Sequence, residues 1–308
     1  MNTFHRSSKS TPASTSRPRS GTAAQQEEAK PARQRQSAQR DERRPKHSSP
    51  RHEQQPAHAP SPQPTAPSSV RLNKALADAG ICSRRKADEL IAQGRVVVNN
   101  KTADMGTRVQ PEKDSIVVDG KALRTDTERC YLLMHKPVQV MCTVSDPEKR
   151  PTVIDILPPE WQGLRLYPVG RLDYFSEGLI ILTNDGDLTQ KLAHPSHHQP
   201  KVYRVRVREA VSPEMIATMQ AGMTLAEGER LAPIEVTLVP YKGTGTVLEL
   251  VLHQGINRQI RRICRDFGLT VLKLARIAQG SLRLGDLPVG AVRPLSEQEL
   301  AALRAAAE

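Results

Sequence analysis

Gly170-Arg171-Leu172-Asp173-Tyr174-Phe175-Ser176-Glu177-Gly178-Leu179, continuing into Ile180-Ile181-Leu182-Thr183, is the stretch on which the fold reading turns. Its second half is an unbroken apolar run bounded by Asn184-Asp185-Gly186-Asp187, a cluster of turn formers, and such a run predicts a buried strand. Its first half is polar and edged by glycine, which predicts a loop. Asp173 is thereby placed on a loop that enters a rigid element. A loop exposes the side chain while the sheet fixes its position, as a reacting carboxylate requires.

Working outward, Cys130-Tyr131-Leu132-Leu133-Met134 predicts a second buried strand, closed by His135-Lys136-Pro137 because proline cannot continue the pairing. Val202–Val207, Ile234–Val239 and Val247–Leu252 predict further strands. Helical spacing falls on Leu188–Ala193, Pro213–Ala221, Arg258–Phe267 and Glu297–Ala306. On the last but one, Ile260, Ile263, Cys264 and Phe267 face inward, Arg258, Arg262 and Arg265 form a solvated basic face, and Arg261 flanks the buried side. Strands and helices in this order predict an α+β domain over residues 129–308 with a mixed, mainly antiparallel sheet.

Upstream, Leu72, Ala75, Leu76 and Ala79 give one short helix ended by Gly80, and Ser83 caps a second, whose apolar face is Ala87, Leu90 and Ile91. Arg95-Val96-Val97-Val98 and the turn Asn99-Asn100-Lys101 then predict a hairpin. Arg71, Lys74, Arg84, Arg85, Lys86, Arg95 and Lys101 crowd this module, residues 70–125, into a basic surface fit to read nucleic acid. Ser83-Arg84-Arg85-Lys86 puts three cations at a helix N-terminus, against the helix dipole, and a bound phosphate would offset that cost. With aromatic residues at 3%, contacts to phosphate and RNA shape are expected rather than base stacking.

The chain has 308 residues and a net charge of +12. Residues 1–70 hold 12 Lys and Arg against 5 Asp and Glu, so +7 of that charge lies there, together with 10 of the 24 prolines. Before Val70 the only large apolar residues are Met1 and Phe4. Residues 1–69 are therefore expected to be a disordered basic tail that touches phosphates without sequence preference. No apolar core follows the first charges, which argues against a secretory signal, and no run is long enough for a membrane span. Cys82, Cys130, Cys142 and Cys264 show no C-x-x-C spacing, which fits reduced, packed cysteines and a cytoplasmic setting.

Gly170, Arg171, Leu172, Asp173, Ser176, Gly178 and Leu179 resemble the G-R-L-D catalytic motif of RNA pseudouridine synthases, in particular the RsuA/RluB/RluE/RluF family that acts on ribosomal RNA. Lys201-Val202-Tyr203 is similar to that family's K-x-Y element and Gly255–Arg262 to its G-x-N/R-R-Q-I/V-R-R pattern. Leu272–Ile277 supplies a weaker fourth match. Residues 72–99 are similar to the alpha-L RNA-binding module of a small-subunit ribosomal protein. The resemblance implies that Asp173 is the essential carboxylate, acting as nucleophile or as base at the sugar. It also implies that Arg171 fills the space a flipped base vacates, Tyr203 packs on the target base, Arg261 pairs with Asp173, and Leu274 caps the uracil pocket.

The implied reaction breaks N1–C1′, turns the base and joins C5 to C1′, so neither redox cofactor nor metal is needed. The implied partner is ribosomal RNA or a ribosome-assembly intermediate, bound by a monomer. Asp146-Pro147 through Arg150-Pro151-Thr152-Val153 looks like the large-subunit RluB/RluE branch, whereas Ile81–Arg85 and Asn257–Arg262 resemble the RluF branch; large-subunit RNA is the expected target. A non-catalytic RNA chaperone would leave the ordered motifs unexplained. A metal-dependent hydrolase built on Asp173, Asp185 and Asp187, or on His194, His197 and His198, fits less well than a turn and an exposed loop.

Overall fold

A computed structural model describes residues 69–124, 127–193 and 199–306. The basic tail read for residues 1–69 lies outside the described residues apart from Ser69, as do His194, His197 and His198.

The N-terminal module runs β1 (Val70–Arg71), α1 (Leu72–Asp78), α2 (Arg84–Ala92), β2 (Val96–Val98), β3 (Lys101–Thr102), β4 (Arg108–Val109), β5 (Ile116–Val118) and β6 (Lys121–Ala122). The Ser83 hydroxyl caps α2 by accepting from the Lys86 amide at 3.2 Å. Asn99 and Asn100 both take positive φ, +49° and +65°, the conformation a two-residue turn between β2 and β3 demands. Asp119 (φ +48°) and Gly120 (φ +76°) repeat the device between β5 and β6. The hairpins join as β3-β2-β5-β6, and Leu72, Leu76, Ala87, Leu90, Ile91, Val96 and Ile116 close a core between helices and sheet.

The larger domain follows as β7 (Tyr131–Lys136), α3 (Pro159–Gln162), β8 (Tyr167–Val169), β9 (Glu177–Thr183), α4 (Gly186–Ala193), β10 (Lys201–Val207), α5 (Pro213–Ala221), β11 (Glu235–Val239), β12 (Thr246–Leu252), α6 (Gln259–Asp266), β13 (Val271–Gln279), β14 (Leu282–Arg283), β15 (Val292–Pro294) and α7 (Glu297–Ala305). Its sheet is ordered β11-β12-β10-β13-β9-β7-β15, with β14 on β13 and β8 on β9. The α+β class and the mainly antiparallel sheet are as read from the sequence.

The apolar runs of β7 and β9 follow from burial on both faces. Leu132, Met134, Ile180 and Leu182 pack on one side with Val153, Leu157 and Leu172. Leu133, Leu179 and Ile181 pack on the other with Leu188, Leu192 and Leu303. A separate core lies under β10 to β13, where Val205, Leu248 and Leu274 meet Met219 of α5 and Ile260, Ile263 and Cys264 of α6.

The two halves of the sheet meet at the parallel β9–β13 pairing, where Ala275 lies opposite Glu177 and Arg276 opposite Gly178. Gly178 has φ +111°, and a Cβ there would collide with the Arg276 carbonyl oxygen and sit 2.6 Å from its amide nitrogen. Only glycine lets the strands close at this seam. The N-terminal module touches the larger domain through Lys74 Nζ, which meets Asp78 at 2.6 Å and Asp187 at 3.0 Å, and through Arg165, which donates to the Ala77 carbonyl at 3.0 Å.

Candidate active site

A cleft of about 700 Å³ opens across the β9–β13 seam. Its walls include Arg171 and Asp173 from the loop before β9, Tyr203 from β10, Arg261 from α6 and Leu274 from β13. Five residues singled out in the sequence, scattered over about a hundred positions, are thus brought into one cavity. Arg171 is exposed at the rim, Asp173 and Tyr203 are half-buried, and Leu274 is buried.

The Asp173 loop is fastened on every side. The Leu172 amide donates to Cys142 Sγ at 3.2 Å, the Gln139 amide to the Tyr174 carbonyl at 2.6 Å, and the Ser176 amide to the Asp173 carbonyl at 3.0 Å. Arg261 reaches over from α6, its Nη2 donating to the Phe175 carbonyl at 2.6 Å and to Ser176 Oγ at 3.4 Å. Its Nε is buried without a hydrogen-bond partner and faces Asp173 Oδ2 at 3.9 Å. Burial lowers the Arg261 pKa, and the Asp173 carboxylate draws it back up. Arg258 adds a second guanidinium 4.0 Å from the same oxygen. Arg258 caps α6 from the left-handed region, φ +51° and ψ +30°, a conformation that residues other than glycine and asparagine adopt at some cost.

Arg262 and Arg265, read as a solvated basic face, are in fact paired. Arg262 meets Glu229 at 2.6 Å and Glu227 at 3.1 Å, and Arg265 meets Asp266 at 2.7 Å. Arg265 is the main cause that holds the Glu227 carboxyl down at about 2. Asp185 caps α4, its Oδ1 accepting from the Asp187 and Leu188 amides at 3.1 and 3.0 Å, so the turn reading of that segment holds.

Three cleft-lining groups and one fully buried lysine escaped the sequence reading. Lys136 ends β7 wholly buried, its Nζ donating to the Pro137 and Val140 carbonyls at 2.7 and 2.8 Å. Burial pushes its pKa down to about 8, against the attraction of Asp173 and Glu177. Gln259, at the start of α6, has both carboxamide atoms buried without a partner. Arg276 and Gln279 lie three residues apart on β13, and simple alternation would put them on opposite faces. An irregularity leaves Ile277 without an opposite residue, so Arg276 pairs with Tyr203 and Gln279 with Lys201, and both face the cleft. Nothing in the local sequence signals that bulge.

On the N-terminal module, Arg71, Arg84, Arg85 and Lys101 are exposed, with no carboxylate in ion-pair range among the described residues. Lys86 pairs with Glu89 at 2.8 Å, Arg95 with Asp119 at 2.7 Å, and Lys74 is held by Asp78 and Asp187. Of the seven cations read as the basic surface, the four left unengaged lie on β1, at the N-terminus of α2 and at the β2–β3 turn.

Residues 130–266 match the family described as RNA pseudouridylate synthase, and residues 70–115 match the S4 domain. A protein of Aquifex aeolicus named as an uncharacterized RNA pseudouridine synthase is 40% identical over 76% of this chain and 93% of its own length. The ribosomal large subunit pseudouridine synthase B of Bacillus subtilis is 38% identical over 77% of this chain and 97% of its own. The dual-specificity RNA pseudouridine synthase RluF of Escherichia coli is 38% identical over 76% of this chain and 78% of its own. Among solved structures, a pseudouridylate synthase crystal structure superposes with a TM-score of 0.55 at 27% identity, covering 76% of this chain and 100% of that one.

Proposed function

We propose a substrate and a set of residue roles on one premise: the chain belongs to the RNA pseudouridine synthase family. It is an isomerase that converts uridine to pseudouridine in RNA. The substrate we assign is large-subunit ribosomal RNA, a reading supported by the Bacillus subtilis relative named for that subunit.

Asp173 is the essential carboxylate in this reading. The carrying observation is its position in one cleft with Arg171, Tyr203, Arg261 and Leu274, beside two guanidinium groups and 29% exposed. Nucleophilic attack at C1′ and proton abstraction at C2′ both use the carboxylate form of this side chain. Arg261 is a positioning residue: its bonds to the Phe175 carbonyl and Ser176 Oγ fix the loop that carries Asp173. Tyr203 and Leu274 bracket the uracil after it leaves the helical stack, and Arg171 at the rim fills the place it leaves. Arg71, Arg84, Arg85 and Lys101 hold RNA phosphates, with the start of α2 as the principal contact.

The C5 proton is lost on product formation, so tritium released from RNA carrying [5-³H]uridine follows turnover. The wild-type protein is expected to release tritium from unmodified large-subunit transcripts and not from small-subunit ones. Asp173→Asn is expected to release none while binding the same RNA with nearly unchanged affinity. Appreciable release by Asp173→Asn would refute the assignment of Asp173.

A further inference from the structure

Lys201 and Arg276 are two cations on one face of the cleft with no carboxylate within 4.0 Å among the described residues. Arg204 and Arg262, by contrast, are each paired. Arg276 is 2% exposed; its Nε donates to the Leu179 carbonyl at 2.8 Å, and its Nη2 is buried with no partner. Lys201 Nζ donates to the Gln199 carbonyl at 3.2 Å, and its pKa is lowered by burial and then by the charge of Arg276. Beside them Gln279, 3% exposed, buries an Oε1 with no donor. The unliganded protein thus holds two desolvated like charges and an orphan acceptor together, at a cost in stability that a matching ligand would offset.

The chemistry of that ligand is specified by the set: negative charge for Lys201 and Arg276, and an N–H for Gln279. A phosphodiester carries the charge but no N–H. A uracil anion carries both, since N3–H sits between O2 and O4, over which the charge spreads. We propose that Lys201 and Arg276 stabilise the uracil anion released when N1–C1′ breaks, with Gln279 Oε1 accepting from N3–H. The inference rests on the isomerase reading and adds residues to it.

The step balances on either route for Asp173. The N1–C1′ electron pair departs with N1, while C1′ bonds to the Asp173 carboxylate or the C2′ proton passes to it. On return, C5 bonds to C1′ as the carboxylate leaves or gives its proton back to C2′. The C5 proton goes to solvent and N1 gains one. Charge on the base exists only between these events, so cations placed there accelerate the reaction without strengthening ground-state binding.

The test is single-turnover tritium release, with filter-binding affinity, on the transcript that the wild type modifies. Lys201→Met is expected to slow the chemical step by about 10²–10³-fold, the loss typical of one anion-stabilising donor, while RNA affinity stays within about threefold. Lys201→Arg, which keeps the charge, is expected to recover most of the rate. Thermal unfolding checks that the variants fold, and Lys201→Gln replaces Lys201→Met if the apolar side chain does not. An unchanged single-turnover rate, or a loss confined to affinity, would overturn the proposal, the second result pointing to a phosphate anchor. A wild type that releases no tritium from any ribosomal transcript would fell the isomerase reading first, and this inference with it.

Discussion

Gly178→Ala tests whether the β9–β13 seam governs both stability and the cleft. Two costs follow from the structure. The residue sits at φ +111°, where an L side chain is strained by about 1–3 kcal/mol. The new methyl would also overlap the Arg276 backbone, with its amide nitrogen 2.6 Å and its carbonyl carbon 2.9 Å away. Relief by backbone shift in a packed region costs a further ~1–3 kcal/mol. The sum, about 2–6 kcal/mol, corresponds to a Tm lower by roughly 4–24 °C for a body of this size. Gly170→Ala is the internal control, because its φ is +77° but no atom lies within 4 Å of the added Cβ. It should cost only the conformational strain and lower Tm by a few degrees. Because Asp173 lies on one side of the seam and Tyr203, Leu274 and Arg276 on the other, Gly178→Ala should also slow tritium release by about 100-fold, the effect of misplacing reacting groups by about an ångström. A Tm within about 2 °C of wild type, or equal losses in the two alanine variants, would refute the close-approach argument.

Two further outcomes are expected. Neutralising Arg84 and Arg85 together by glutamine should weaken RNA binding and flatten the dependence of log affinity on log salt by about 0.7–0.9 for each phosphate no longer neutralised. The same pair should raise thermal stability slightly, because cations at a helix N-terminus oppose its dipole by about 0.3–1 kcal/mol each. Glu299→Gln removes the carboxylate that pairs with Arg293 at 2.6 and 2.7 Å and completes the capping box with Ser296 at the start of α7. The Arg293 guanidinium, opposed by burial, holds the Glu299 carboxyl at about 2, below its unfolded range. Its stabilisation is therefore present at neutral pH, about 1–2 kcal/mol after allowing for solvent screening, and is lost as pH falls towards 2. Denaturant titrations of both proteins at neutral pH and near pH 2 should show that gap closing.

What was legible in the sequence was set by local periodicity. The runs of β7 and β9, the bounds of α5 and the Asn99-Asn100 turn could be read because neighbouring residues carry the whole signal. Asp173 stood out by its place on a loop entering a strand, but Tyr203, Arg261 and Leu274 were tied to it only through resemblance, and spacing alone gave no reason for the four to meet. What stayed hidden depends on pairing at long range. Lys74 read as an RNA contact, but one of its two carboxylate partners is Asp187, 113 residues away. Arg262 and Arg265 read as solvated, but Glu227 and Glu229 arrive from a distant turn. Arg276 and Gln279 reach the cleft only because β13 is irregular where it pairs with β10, and Arg276 meets Gly178 only because β13 pairs in parallel with β9. These are properties of the sheet and not of any single segment.

The most direct test of the central claim is pseudouridine mapping, by carbodiimide labelling and reverse transcription, of ribosomal RNA from cells with the gene intact, deleted, or carrying Asp173→Asn. The account predicts a stop in large-subunit RNA that is present with the intact gene and absent from both other strains. Three identical maps across both ribosomal subunits would contradict it, and a stop that survives Asp173→Asn would remove Asp173 from the chemistry.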